Sequence, residues 1–271
     1  IINRYAFRSL RHLACTWRIT RDGEVIQQGR MPMLDVPPGG EAPLNLYYRL
    51  PAGDTPGAAY RLELSFALAE DMPWAPAGYQ LAWAQFDLPV AVAAPPVIQI
   101  SAMPKLTVQT GKRGLTVAGE DFHLTFDTFY GALTAWEFNG IPLLTRGPQL
   151  NVWRAPTDND VHIAKEWVKA GLDRLQPRVS RVELLRQEER VVQVEIAATL
   201  APVFLRPAFD VTYLYTIYGA GDVVIRTHVL PLGTLPVLPR LGLQMRLPGR
   251  FDRFAWYGRG PHENYVDRKE S

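Results

Sequence analysis

Only one cysteine, Cys15, occurs in the 271 residues, so neither an internal disulfide framework nor a cysteine-based zinc site can form. Nothing therefore argues for secretion, and the cytoplasm is the expected compartment. No run of apolar residues reaches the roughly 18 needed to cross a bilayer. The N-terminal stretch is broken by Arg4, Arg8 and Arg11, which excludes the apolar segment of a signal peptide. Strong charge of either sign is also missing. The formal net charge is +2, and the basic residues Arg174, Arg178, Arg181, Arg186 and Arg190 are interleaved with Asp173, Glu183, Glu188 and Glu189, so no nucleic-acid surface is expected. Missing too are a G-x-G-x-x-G opening a helix, a phosphate-binding P-loop, an H-E-x-x-H pair and a nucleophile elbow. Nucleotide, zinc-protease and serine-hydrolase chemistry have no local support.

What is present is apolar residues, at 47%, enough for a sizeable core in one large or two modest domains. Most fall in period-two alternation. Trp17-Arg18-Ile19-Thr20-Arg21 and Glu24-Val25-Ile26-Gln27-Gln28 flank Asp22-Gly23, a pair suited to the positive φ angles of a tight hairpin turn. Leu44-Leu46-Tyr48-Leu50 and Tyr60-Leu62-Leu64-Phe66-Leu68 alternate as further strands, and Gln80 to Leu88 is another candidate. Short strands at this spacing predict an immunoglobulin-like sandwich over residues 1–92. The Ala/Pro/Val run then supplies a linker at 93–97.

Beyond it, Phe122-Leu124-Phe126, Val192 to Ala198, Phe209 to Ile217 and Val223 to Val229 alternate over longer lengths, with Gly219-Ala220-Gly221-Asp222 as a hairpin turn. One helix is predicted within Val161 to Leu175, where apolar residues recur at helical spacing, weakened by Gly171. His123 and His228 lie in alternating strands and are expected to be structural. Trp17, Trp83 and Trp136 sit in apolar patterns and are expected in the core.

Two polar constellations carry candidate chemistry. Arg154-Ala155-Pro156-Thr157-Asp158-Asn159-Asp160 gathers two carboxylates, an amide and a guanidinium, groups suited to sugar hydroxyls, each of which donates and accepts. It also reads as a turn with a helix cap, Asn159 or Asp160 accepting from free backbone N–H groups. The second is Tyr257-Gly258-Arg259-Gly260-Pro261-His262-Glu263-Asn264-Tyr265-Val266-Asp267-Arg268, an irregular polar loop that suits a binding or interface surface as well as a braced turn.

These two motifs, in this order, resemble the C-terminal domain of large β-galactosidases of glycoside hydrolase family 2. Phe122 to Asp127, Gly131-Ala132-Leu133 and Gly140 to Leu144 are similar to that domain's opening strands. Asn3-Arg4-Tyr5-Ala6-Phe7, with Trp17, Asp22-Gly23 and Gly29, is similar to the immunoglobulin-like domain before it. The resemblance implies an all-β fold: the sandwich, then a galactose-mutarotase-like β-supersandwich over 98–271. With Ile rather than Met in first place and the chain stopping at Ser271 just after the second motif, a fragment cut at both ends is expected, its supersandwich truncated.

It implies further that the catalytic carboxylates belong to a TIM barrel elsewhere in the enzyme, the chain's partner, so no catalytic residue is expected here. Arg154, Asp158, Asn159 and Asp160, with His262, Glu263 and Asn264, are the expected substrate-supporting residues at the mouth of a galactoside site. No metal is expected in this region, since the Mg and Na sites common in the family lie in other domains. The family's tryptophan beside the aglycone sugar comes from a later segment, so none of the seven here inherits that role. A homo-oligomer is expected, with neither nucleic acid nor membrane as partner. The runner-up readings are an aldose 1-epimerase using His262 with Glu263, or His228 with a carboxylate, and a free-standing carbohydrate-binding module.

Overall fold

The computed structural model describes residues 1–260 and 268. The chain is nearly all β, and its strands divide between two compact units, residues 1–97 with 255–260, and residues 98–254. Among the described residues no helix is long and apolar enough to cross a membrane.

In the first unit β1 (Leu13–Arg21), β2 (Glu24–Arg30), β3 (Tyr60–Leu68) and β4 (Gln80–Asp87) form one antiparallel sheet, ordered β2-β1-β3-β4. The Asp22-Gly23 turn forms as its chemistry dictates, with φ of 49° and 88°. Strand β3 is the cleanest amphipathic element, with Tyr60, Leu62, Leu64, Phe66 and Leu68 all buried and the residues between them half-exposed. Its inward face packs with Leu10, Leu13, Cys15, Ile19, Leu34 and Val36 into one core. The alternating Leu44 to Leu50 segment departs from expectation, because it joins no ladder. Leu44, Leu46 and Tyr48 still pack on that core, while the Gln27 amide takes up the Arg49 backbone in two hydrogen bonds of 2.7 and 3.0 Å. The alternation thus reports one-sided burial, which an extended segment can satisfy without a strand partner.

In the second unit β5 (Thr107–Thr110), β6 (Gly114–Ala118), β7 (Phe122–Asp127), β8 (Ala132–Phe138) and β9 (Ile141–Pro142) make a five-stranded meander. Strand β10 (Arg146–Asn151) leads into a 3-10 turn at Asp158–Asp160, an α-helix, α1 (Ile163–Lys169), and a further 3-10 turn at Leu172–Arg174. Strands β11 (Leu175–Gln187), β12 (Val191–Pro202), β13 (Phe209–Tyr218) and β14 (Val223–Pro231) form a second antiparallel sheet in chain order. β15 (Gly242–Arg246) returns to pair with β10. The buried faces of the two larger sheets share a core: Leu115, Val117, Leu124 and Phe126 from one, Val192, Val194, Ile196, Tyr213, Tyr215 and Ile217 from the other. Phe126 and Tyr215 meet edge to face at 5.0 Å between centroids, a preferred aromatic geometry.

Gly171 explains why the helical spacing from Val161 to Leu175 yields only seven α-helical residues. It sits at φ 72°, and a Cβ there would lie 2.6 Å from Pro202. The chain must turn left-handed at that point, which ends the helix.

Candidate functional site

The loop between β10 and α1 is built by local hydrogen bonding. Asn151 starts it, its amide accepting from the Trp153 N–H at 3.2 Å and donating to the Trp153 carbonyl at 2.9 Å. This self-bonded turn releases the chain from the sheet. Arg154 then folds back: its Nη1 and Nη2 grip the two Asp160 oxygens at 2.5 and 2.9 Å, and its Nε donates to the Pro239 carbonyl at 2.9 Å. A two-pronged guanidinium–carboxylate pair fixes direction as well as distance. The guanidinium also lies 5.2 Å from the ring centre of Trp167 on α1. Trp167 is itself buried, and its indole N–H reaches the Val237 carbonyl at 2.8 Å.

Asp160 receives two more bonds, from the Thr157 N–H at 2.8 Å and the Thr157 hydroxyl at 3.0 Å. Thr157 and Asp160 thus brace the 3-10 turn reciprocally, since the Asp160 N–H donates to the Thr157 carbonyl at 2.9 Å. The Arg154 hydrogen bonds, followed by the Thr157 N–H, hold the Asp160 carboxyl well below the usual range, at about 2. These groups favour the charged form more than partial burial opposes it.

Of the expected site residues, the structure brings Arg154 and Asp160 together as the clamp. Asp158 and Asn159, between them, are exposed. The cap reading of the motif is met by Asp160, while Asp158 and Asn159 present a carboxylate and an amide to solvent. His262, Glu263 and Asn264 lie outside the described residues. Among the described residues no group of three or more His, Cys, Asp and Glu side chains is placed to hold a metal ion. His228 is exposed on β14 opposite Thr212, and His123 is half-exposed, 3.9 Å from Glu137.

Sequence reasoning did not find a hollow of about 360 Å³ in the second unit, whose polar lining includes Tyr130, Arg146, Gln149, Asn151, Gln176 and Gln244. None of residues 154–160 lines it. Its residues come from β10, β11, β12, β13, β15, the β7–β8 turn and the 3-10 turn at Leu172–Arg174, so no single stretch of sequence could signal it. Trp83 overturns an expectation outright. It is 52% exposed, because it pairs with Ser65 on β3 rather than with a buried neighbour and so faces away from the core.

Residues 118–271 match the family model for the β-galactosidase small chain, and residues 1–89 match that for β-galactosidase domain 4. A β-galactosidase of Priestia megaterium is 34% identical over 98% of this chain, and one of Vibrio cholerae is 31% identical over 92%. One of Kluyveromyces lactis is 28% identical over 75%. The chain covers 25%, 25% and 20% of the length of these three relatives.

Proposed function

This chain belongs to the β-galactosidases, and we propose that it serves as their non-catalytic C-terminal region, shaping the entrance of a galactoside site whose catalytic carboxylates lie elsewhere in the enzyme. The carrying observation is that two β-galactosidase domain models match in succession along nearly the whole chain. The activity proposed for the whole enzyme is hydrolysis of terminal β-D-galactosides such as lactose. A retaining glycosidase needs an acid/base carboxyl and a nucleophilic carboxylate about 5–5.5 Å apart, and we assign neither role to any residue here.

The chain's own contribution is positioning. The Arg154–Asp160 clamp fixes both ends of a short loop, so Asp158 and Asn159 meet a sugar hydroxyl without first paying to order the backbone. A wall of this kind lowers the barrier only when the reacting groups come from the barrel. The partners proposed are therefore the catalytic barrel, the galactoside and further copies of the enzyme.

Two measurements test the reading. The chain alone should leave a chromogenic β-galactoside unhydrolysed, and turnover by it would place the carboxylates within these residues. In the whole enzyme, Asp158→Asn with Asn159→Ala should raise KM several-fold with little change in kcat, since uniform binding is what a peripheral wall supplies. An unchanged KM would remove the loop from the site.

A further inference from the structure

The outward face of the first unit's sheet carries two rows of polar side chains, one residue from each strand. Register places Gln28, Arg18, Glu63 and Gln85 side by side, and next to them Arg30, Thr16, Ser65 and Trp83. Opposed residues of antiparallel strands share a face, so these eight form a continuous patch. With Gly260 from the C-terminal segment, it lines a hollow of about 770 Å³, within the roughly 300–1,000 Å³ typical of small-molecule sites.

The floor is ordered. Arg18 donates to one Glu63 oxygen, and the Gln85 amide donates to the other at 2.9 Å. Beside them the Gln80 amide donates to the Ser65 hydroxyl at 2.7 Å. Trp83 stands in this polar field with half its surface in water, at a position where packing alone would favour a polar or small side chain. Gln28 and Arg30 are exposed at the far side on β2.

We propose that this face is a saccharide-binding surface, taking a neutral pyranoside with one sugar ring stacked on Trp83 and its hydroxyls on the Arg18–Glu63–Gln85 row. A pyranose offers what this patch can match: a C–H face for the indole, and a rim of hydroxyls that both donate and accept. Glu63 supplies acceptors, Arg18 donors, Gln28 and Gln85 both, and the Thr16 and Ser65 hydroxyls either. An anionic ligand is disfavoured because Glu63 lies centrally and already occupies Arg18. The surface uses none of the residues assigned to the entrance loop, so it stands or falls apart from that reading.

The test is titration of the intact chain with lactose and with a β-1,4-linked galactotetraose, followed by amide and indole shifts in nuclear magnetic resonance. Saturable shifts are expected in β1, β3 and β4 and at the Trp83 indole, with dissociation constants on the order of 1 mM. Trp83→Ala should weaken binding about tenfold or more while melting like the wild type, because the side chain supports no core. Gln85→Ala should weaken it less, and Lys112→Ala, at an exposed position of the second unit, should leave it unchanged. Absence of saturable shifts with both sugars overturns the proposal. So does binding that survives Trp83→Ala but is lost with Asp158→Asn, which would put the sugar at the entrance loop.

Discussion

Asp160 shows what one charged residue does when four hydrogen bonds converge on its carboxylate. Its carboxyl titrates at about 2 in the folded chain against an ordinary value near 3.9, so the folded state binds its proton less readily than the unfolded one. The resulting stabilisation is fully present above the unfolded value and is lost as pH falls from about 4 towards 2. Asp160→Asn should therefore lower the thermal midpoint at neutral pH and flatten this part of the acid-unfolding profile, and a profile as steep as the wild type's would remove Asp160 as its source. Arg154→Lys should also destabilise the loop, since an ammonium cannot bridge both oxygens while reaching the Pro239 carbonyl. The charge types of this motif were legible in the sequence, but their division into clamp and exposed pair was not. That division depends on where Trp167 and the Pro239 carbonyl lie, and those come from α1 and a segment some eighty residues later.

At the scale of elements, the sequence was most informative where one face of a strand is buried. β3, β7, β12 and β13 show buried and less buried residues in alternation over most of their lengths, and their apolar pattern was sufficient to find them. It misled where alternation had another cause, at Leu44 to Leu50, whose side chains pack although its backbone joins no ladder. It misled again at Trp83, where a large aromatic was read as core although the strand's phase points it outwards. Trp83 shares its phase with Gln85 and Asp87, which pair with Glu63 and Arg61 on the outward side of β3, and composition alone does not report that pairing. Gly171 was legible as a weakness in the helix, and the structure makes it the helix's end. Gly171→Ala should cost about 1–2 kcal/mol from the left-handed backbone, and more from the contact with Pro202, as read by chemical denaturation. A neutral substitution would mean that the turn can re-form with negative φ.

At the scale of the whole molecule, the quantity that matters is how completely each sheet is covered. On β13 the inward Val211, Tyr213, Tyr215 and Ile217 are all buried, whereas Val223, Ile225, Thr227 and Val229 on the neighbouring edge strand β14 are only half-buried. The Thr227 hydroxyl is shielded from solvent and has no partner among the described residues. Further on, Val237 is 81% exposed, and Leu241, Leu243, Met245 and Leu247 each remain 44% or more exposed around β15. Edge strand and apolar ridge together are the kind of surface that recruits another chain. The isolated chain should therefore associate with itself in a concentration-dependent way, seen as a sedimentation coefficient that rises with loading concentration. Replacing Leu243 and Met245 by lysine should shift the distribution towards monomer, because charge on this ridge penalises its burial. A single monomeric species at every concentration, with cooperative unfolding, would show that the exposed ridge is tolerated and that the chain needs no neighbour to cover it.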